Sequence, residues 1–248
     1  MALVSVIMGV YNEERFLPEA IESILGQDFG DFELIVIDDG STDGSYEIIQ
    51  NFQAMDDRII GIRSESNKGR APTRNAGLEK AGGKYVAILD SDDIALPGRL
   101  ALQYEYLERH GDIYLVGGNA LVINHEGKTI STWKTESECD KVREVLPRRN
   151  CIAHSTVMFR NTGEFRYREK MRAEDYDFYL NILSAGKKLT NIDRFLIKYR
   201  GQAGSLALEN PGKLAFFHNM AREFYCQRVE RGYDEYEAFE PAKVSAEQ

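Results

Sequence analysis

Short apolar runs alternate with stretches of helical spacing through the first 110 residues. Leu3 to Met8 is rich in apolar and β-branched residues, which predicts a strand buried on both faces. Phe16, Leu17, Ala20, Ile21, Ile24 and Leu25 then recur at helical spacing, with Pro18 in the first turn and Gly26 at the end. The cycle repeats. Phe32 to Ile37 predicts a strand, followed by a helix carrying Tyr46, Ile48, Ile49 and Phe52. Arg58 to Ile62 predicts a third strand, with a helix that opens over Asn67 to Arg74 and ends near Gly82-Gly83. Lys84 to Leu89 predicts a fourth strand, and Pro97 and Arg99 start a helix that runs through Leu107. Such alternation implies a parallel sheet with right-handed crossovers.

The pattern changes after residue 110. Tyr114 to Ile123 and Lys128 to Trp133 read as strands joined by a hairpin turn at Asn124 to Gly127. A short helix around Val142, Val145 and Leu146 stops at Pro147, and Ile152 to Phe159 predicts another strand. Asp175 to Ala185 reads as a helix, Leu189 to Tyr199 as one or two strands, and Leu214 to Tyr225 as a late amphipathic helix. From Tyr233 the chain is charged and weakly patterned, which predicts a frayed tail. No linker or repeat interrupts residues 1–248, so one domain is expected, with a first half of about 1–110, a second half of 111–232 and the tail of 233–248.

In open parallel sheets ligands sit beyond the carboxyl ends of the strands. The turns at those ends carry Tyr11, then Asp38 and Asp39, then Asp90, Asp92 and Asp93. Three carboxylates within four residues repel one another unless a cation or a set of donors meets them. Hard oxygen ligands at that spacing suit Mg²⁺ or Mn²⁺ shared with ligand phosphates, whereas helix capping is the blander alternative. Asp39 can accept the N3–H of a uracil ring or bond a ribose hydroxyl, and Tyr11 offers a face for a base. Arg63, Lys68, Arg70 and Arg74 fall within twelve residues of an acidic chain. They are either a solvated helix face or a diphosphate site, with Arg70 and Arg74 favoured by their place at a helix start. Glu174 and Asp175 begin a later helix, where acids are common, yet a carboxylate there can also take a proton from an attacking hydroxyl. A lone strand histidine such as His154 is ordinarily structural.

Charge and cysteine content narrow the picture. The net charge of −9 excludes general nucleic-acid binding, which needs a basic surface. Three cysteines without a CxxC indicate neither a disulfide framework nor a zinc site, and point to reduced thiols in a cytoplasmic protein. No run of about 18 apolar residues predicts a membrane span. The apolar start lacks a basic leader and reads as the first strand, not a signal peptide.

Five segments together resemble the family 2 glycosyltransferases of the GT-A fold. They are Val4 to Glu13, Ile37 to Asp43, Asn67-Lys68-Gly69 with Arg74-Asn75, Leu89 to Asp93, and Glu174-Asp175. They stand in the family's order over roughly the first 200 residues. The resemblance implies an α/β GT-A fold, with a Rossmann-like, mostly parallel sheet, a small mixed acceptor-side sheet and a C-terminal helix. Residues 1–110 would be its nucleotide-binding half and 111–232 its acceptor and catalytic half. It implies an inverting transferase that moves one sugar from a nucleotide-sugar donor, usually a UDP-sugar, with Mn²⁺ or Mg²⁺. The acceptor would be a glycan or lipid-linked glycan of cell-surface polysaccharide, which allows peripheral contact with the inner membrane face. Carried over by position, Tyr11 stacks on the base, Asp39 bonds it, and Asp92 is the ribose or metal ligand with Asp93 beside it and Asp90 behind. Asp175 matches the general base, with Glu174 as the alternative, and His154 matches a histidine near the acceptor side.

Two departures from the family pattern stand out. Gly9 replaces a commonly larger residue, and Gln202 stands where a histidine is frequent. The lack of a Gln-x-x-Arg-Trp signature argues for single addition over processive synthesis. Two rivals are a sugar-phosphate nucleotidyltransferase and a non-catalytic nucleotide-sugar-binding protein. The first would carry a glycine-rich basic loop near the N-terminus, where this chain has Glu13 and Glu14.

Overall fold

A computed structural model describes residues 2–201 and 211–241. Strands β1 (Val4–Val10), β2 (Phe32–Asp38), β3 (Ile59–Arg63) and β4 (Tyr85–Ile88) form a parallel block in the order β3-β2-β1-β4. Helices α1 (Leu17–Leu25), α2 (Ser45–Met55) and α3 (Arg70–Lys80) make the crossovers. The two-residue strand β5 (Ile94–Ala95) and helix α4 (Arg99–Arg109) follow. Side chains alternate across each strand, so β1 feeds two cores. Val4, Val6, Met8 and Val10 pack with Leu17, Ile21 and Ile24 of α1 and Leu100 and Leu107 of α4. Ile7 joins Ile35 and Ile37 on the opposite face, against Ala71 and Leu78 of α3. Gly77 lets α3 lie close to that face, since a Cβ there would stand 2.6 Å from Ile7 Cγ2.

The second half extends the same sheet. Strands β6 (Ile113–Ile123) and β9 (Lys188–Arg200) pair in parallel, while β8 (Met158–Arg160) runs antiparallel between β4 and β6. β7 (Thr129–Trp133) pairs antiparallel with β6, and β5 pairs antiparallel with β9. The full order is β3-β2-β1-β4-β8-β6-β9-β5, with β7 off β6. Helices α5 (Cys139–Val145), α6 (Glu174–Ser184) and α7 (Pro211–Arg231) complete the described elements of this half. Phe217, Ala221 and Phe224 of α7 join Phe178 and Ile182 of α6 in one core.

Two expectations fail here for identifiable reasons. The strand expected over Ile152 to Phe159 is a 3-10 turn at His154–Thr156 followed by the short β8. Thr156 closes the turn by donating its hydroxyl to the Ala153 carbonyl at 2.6 Å, a local bond that competes with the sheet ladder. The tail expected to fray from Tyr233 is packed through its described part. Asp234 pairs with both Arg168 and Arg228, and the Arg168 guanidinium lies over the rings of Phe224 and Tyr236 at 4.8 and 4.3 Å. Phe239 is 9% exposed beside Phe217 and Phe224. The segment from Leu189 to Tyr199 lies within one thirteen-residue strand, β9. Gln202 lies outside the described residues.

Candidate active site

Parallel topology delivers three loops to one end of the sheet, and small polar side chains then stitch the loops together. Asn12 sits at φ 55° and accepts the Thr42 N–H at 2.8 Å. Ser41 and Ser45 hydroxyls accept the N–H groups of Asn12 and Glu13 at 3.0 and 2.9 Å, and Glu14 accepts that of Gly44 at 2.7 Å. The conspicuous Tyr-Asn-Glu-Glu and Asp-Asp-Gly-Ser-Thr-Asp-Gly-Ser runs are therefore largely loop-to-loop fastening. Three residues of these runs, Tyr11, Glu13 and Asp39, still face a cavity of about 570 Å³. Tyr11 is 45% exposed.

Asp39 also shapes the third loop. Its two oxygens accept the N–H groups of Lys68 and Gly69 at 2.9 and 2.8 Å. Gly69 holds φ 93°, a conformation that costs a residue with a side chain, and α3 starts directly after it. A carboxylate has about four lone-pair sites, so Asp39 retains acceptor capacity toward a base or ribose.

The acid cluster follows β4 and splits by depth. Asp90 and Asp92 line the cavity, whereas Asp93 is fully buried and does not. Asp93 Oδ1 accepts the Arg200 N–H at 2.8 Å, and burial, then Asp92 and Asp90, push its carboxyl well above the usual range. The expectation had Asp92 with Asp93 beside it and Asp90 behind; in the structure Asp92 and Asp90 face the cavity and Asp93 lies beneath. The Asp90 N–H donates to the Ser155 hydroxyl at 3.0 Å, so the 3-10 turn at 154–156 sets where the acid loop turns.

Arg74 crosses the cavity floor. Its Nη2 donates to Asp90 Oδ1 at 2.9 Å and its Nη1 to Glu174 Oε1 at 2.7 Å, and it is 6% exposed. Burial alone would raise the Asp90 carboxyl, but Arg74, His154 and Arg70 together outweigh it and hold the group at about 2. Arg70 brings Nε within 2.9 Å of Glu174 Oε1 and Nη2 within 3.1 Å of Oε2 and of the Arg172 carbonyl oxygen. Glu174 is 2% exposed between the two guanidiniums, and burial raises its carboxyl above the usual range although Arg70 and Arg74 pull the other way. The expected diphosphate pair thus differs in duty. Both pair with Glu174, but Arg74 is buried between two carboxylates, while the Arg70 side chain remains 51% exposed at the cavity. Lys68 lines the cavity too, and Arg63 sits apart, 3.4 Å from Asp38 and over Tyr46.

Glu174 lines the cavity, and its neighbour Asp175 is turned toward Asn150, whose Nδ2 donates to Asp175 Oδ2 at 3.1 Å. His154 Nδ1 lies 2.6 Å from the Tyr179 hydroxyl, and burial lowers the imidazole to about 3, so it is neutral at pH 7. Arg200 was not singled out by the sequence. It is 2% exposed and lines the cavity at the end of β9. Its guanidinium donates to the carbonyls of Asp92 and Asn124 at 2.9 and 3.1 Å and to Glu19 at 2.8 Å, and it stacks 4.2 Å over Phe16. An arginine closing an apolar strand was the available signal. Asn150 carries no comparable signal.

Among the described residues no three His, Cys, Asp or Glu side chains converge as a metal shell. Asp92 and Asp90 nonetheless give the hard oxygen donors that suit Mg²⁺ or Mn²⁺ when ligand phosphates complete the coordination. Among the described residues no helix is long and apolar enough to cross a membrane.

Comparison with known proteins agrees with this arrangement. Residues 5–187 match the family described as Glycosyl transferase family 2. An uncharacterized glycosyltransferase of Methanocaldococcus jannaschii is 39% identical over 204 residues, covering 80% of this chain and 70% of that protein. An Escherichia coli protein named UDP-Glc:alpha-D-GlcNAc-diphosphoundecaprenol beta-1,3-glucosyltransferase WfaP is 34% identical, covering 84% of this chain and 80% of that one. Among solved structures, Staphylococcus aureus TarS 1–349 with UDP-GlcNAc aligns with a TM-score of 0.67 at 24% identity, over 83% of this chain and 60% of that one. The mannosyltransferase PcManGT of Pyrobaculum calidifontis, with GDP-Man and Mn²⁺, aligns at 0.65 and 16% identity, over 98% and 79%. An α/β sheet with ligand-facing loops at its parallel end, matched by sequence over most of its length, places this chain in glycosyl transferase family 2, as an enzyme with the GT-A fold.

Proposed function

We propose that the chain transfers one sugar, with inversion, from a UDP-sugar to a hydroxyl of a glycan or lipid-linked glycan in cell-surface polysaccharide synthesis. The observation that carries the reading is the Arg74 bridge. One guanidinium fastens the acid loop of the donor half to the first turn of α6, so Glu174 belongs to the donor cavity and Asp175 follows it in the chain, outside the cavity lining. Tyr11 stacks on the base and Asp39 bonds it. Arg70 and Lys68 meet the diphosphate. Asp92, with Asp90, would hold Mn²⁺ or Mg²⁺ beside the phosphates, where a divalent cation supplies charge stabilisation to the departing nucleotide.

Asp175 acts as the base. Glu174 is caught between two guanidiniums, whereas Asp175 is met by a neutral amide. The acceptor oxygen bonds to the anomeric carbon as the bond to the diphosphate oxygen breaks, and the acceptor proton passes to Asp175. One displacement inverts the configuration. The E. coli relative is named for a UDP-Glc donor and a diphosphoundecaprenol-linked acceptor, which supports a uridine donor and work at the inner membrane face. The GDP-Man in the Pyrobaculum structure keeps guanine as the alternative base.

The test is a melting-temperature panel of UDP-glucose, UDP-N-acetylglucosamine, UDP-galactose and GDP-mannose, with and without Mn²⁺. A donor at a hundredfold its Kd adds about 2.7 kcal/mol to apparent stability. A UDP-sugar should give the largest rise. A larger rise with GDP-mannose would replace the base, and no rise with any donor would sink the reading. Asp175→Asn should keep the donor shift and lose about a hundredfold or more in turnover. Normal turnover would remove Asp175 as the base.

A further inference from the structure

We propose that Asn150 is the positioning residue of the Asp175 carboxylate; this rests on Asp175 being the base. Asn150 lies between α5 and the 3-10 turn at His154–Thr156. Its amide is orientated by its own chain, because Oδ1 accepts the Ile152 N–H at 3.1 Å. With oxygen fixed on that side, Nδ2 faces Asp175 Oδ2 at 3.1 Å and can only donate.

The segment that carries this amide is anchored at both ends. Tyr176, next to Asp175, donates its hydroxyl to the Leu146 carbonyl at 2.8 Å. On the other side Cys151 and Ile152 are buried, and Asn191 of β9 donates to the Cys151 carbonyl at 3.3 Å. Asn150 and the first turn of α6 therefore belong to one rigid frame.

The chemical type of the donor matters. A base must be aimed but must still take a proton, and a guanidinium opposes the second requirement. A neutral amide aims the carboxylate without placing a full positive charge on it. Glu174, one residue earlier, has two guanidiniums instead. The nearby histidines do not duplicate the amide's contact. His154 is engaged with Tyr179, and His218 lies over Tyr176 with ring centroids 5.0 Å apart.

The experiment compares Asn150→Ala, Asn150→Asp and Asp175→Asn. Nucleotide release is followed with water as acceptor, using the best of UDP-glucose, UDP-N-acetylglucosamine and GDP-mannose. Asn150→Ala should lower kcat about tenfold, part of what a positioned base contributes, and leave donor KM unchanged. Asn150→Asp keeps an oxygen for the Ile152 N–H and turns a second carboxylate on Asp175. It should lower kcat at least as far. Recovery of wild-type kcat by Asn150→Asp would assign Asn150 a purely structural role and overturn the proposal, as would wild-type kcat in Asn150→Ala. Adding Asn150→Ala to Asp175→Asn should change kcat no further, and a further tenfold loss would break the link between the two residues. Wild-type turnover in Asp175→Asn alone would instead fail the base assignment beneath the proposal.

Discussion

The donor half and the second half reach the cavity by different means. In the donor half, strands β1, β2 and β4 end side by side, and bonds between the first two loops hold Tyr11 and Asp39 at the rim. The second half is tied to it by contacts between residues far apart in sequence. Arg74 meets Glu174 a hundred residues away, and the Arg200 backbone N–H meets Asp93 across 107 residues. The first arrangement is a consequence of chain direction, and its rim residues can be exchanged with little cost to the fold. The second is made of buried charge, where site and stability are the same contacts.

Substitutions at the two kinds of contact should separate this sharply. Arg74→Met strips Asp90 of its cation and leaves Glu174 with Arg70 alone, and breaking a buried pair from one side costs about 3–5 kcal/mol. A large fall in melting temperature together with lost donor binding is expected. A variant that melts like wild type would mean the bridge is dispensable, and the contrast between the halves would collapse. Asp92→Asn tests the rim. It should weaken donor binding in Mn²⁺ tenfold or more, about 1.4 kcal/mol, with the apo melting temperature kept. Asp93→Asn should do the converse, altering melting before donor affinity. EDTA should remove the Mn²⁺-dependent part of the donor shift in wild type and change nothing further in Asp92→Asn.

Smaller effects are expected from Tyr11 and from pH. Tyr11→Ala gives up one base stack, about 1–3 kcal/mol of donor affinity measured by calorimetry, and leaves melting unchanged because the ring is 45% exposed. The Asp90 carboxyl is held at about 2 in the folded state, below its unfolded value near 3.9. The sign follows: its stabilisation is complete above about pH 4 and is lost as pH falls toward 2. Melting curves of wild type and Asp90→Asn should converge across that window. Because the Asp90 side chain keeps 36% exposure, added salt should shrink the difference. Curves that stay parallel would detach Asp90 from Arg74.

Legibility followed the same division. Strands β1 to β4 and helices α1 to α4 were readable because burial on both faces leaves continuous apolar runs and the crossovers are local, whereas the two-residue β5 was not. Tyr11, Asp39 and Asp92, singled out by their place at strand ends, all line the cavity. What the acid loop does with depth was not readable, since Asp90, Asp92 and Asp93 differ by contacts to Arg74, Ser155 and Arg200, which are distant in sequence. The division of labour between Glu174 and Asp175 has the same origin. The turn at His154–Thr156 escaped because its apolar flanks resemble a strand, while one threonine hydroxyl decides otherwise. The tail was misjudged because Asp234 and Phe239 are scattered signals that gain meaning only beside Arg168 and α7.

The bonds from Asp39 to Lys68 and Gly69 carry a consequence for donor engineering. One carboxylate is at once the candidate reader of the base and the latch that sets where α3 begins, four ångströms of chain before Arg70 by the ordinary spacing of consecutive residues, about 3.8 Å. Replacing it to admit another nucleotide would also release the loop that presents the phosphate-facing side chains. Base choice and phosphate grip are inherited as one module. Swaps of donor in this scaffold should therefore be sought at Tyr11 and the surrounding rim, with position 39 left untouched.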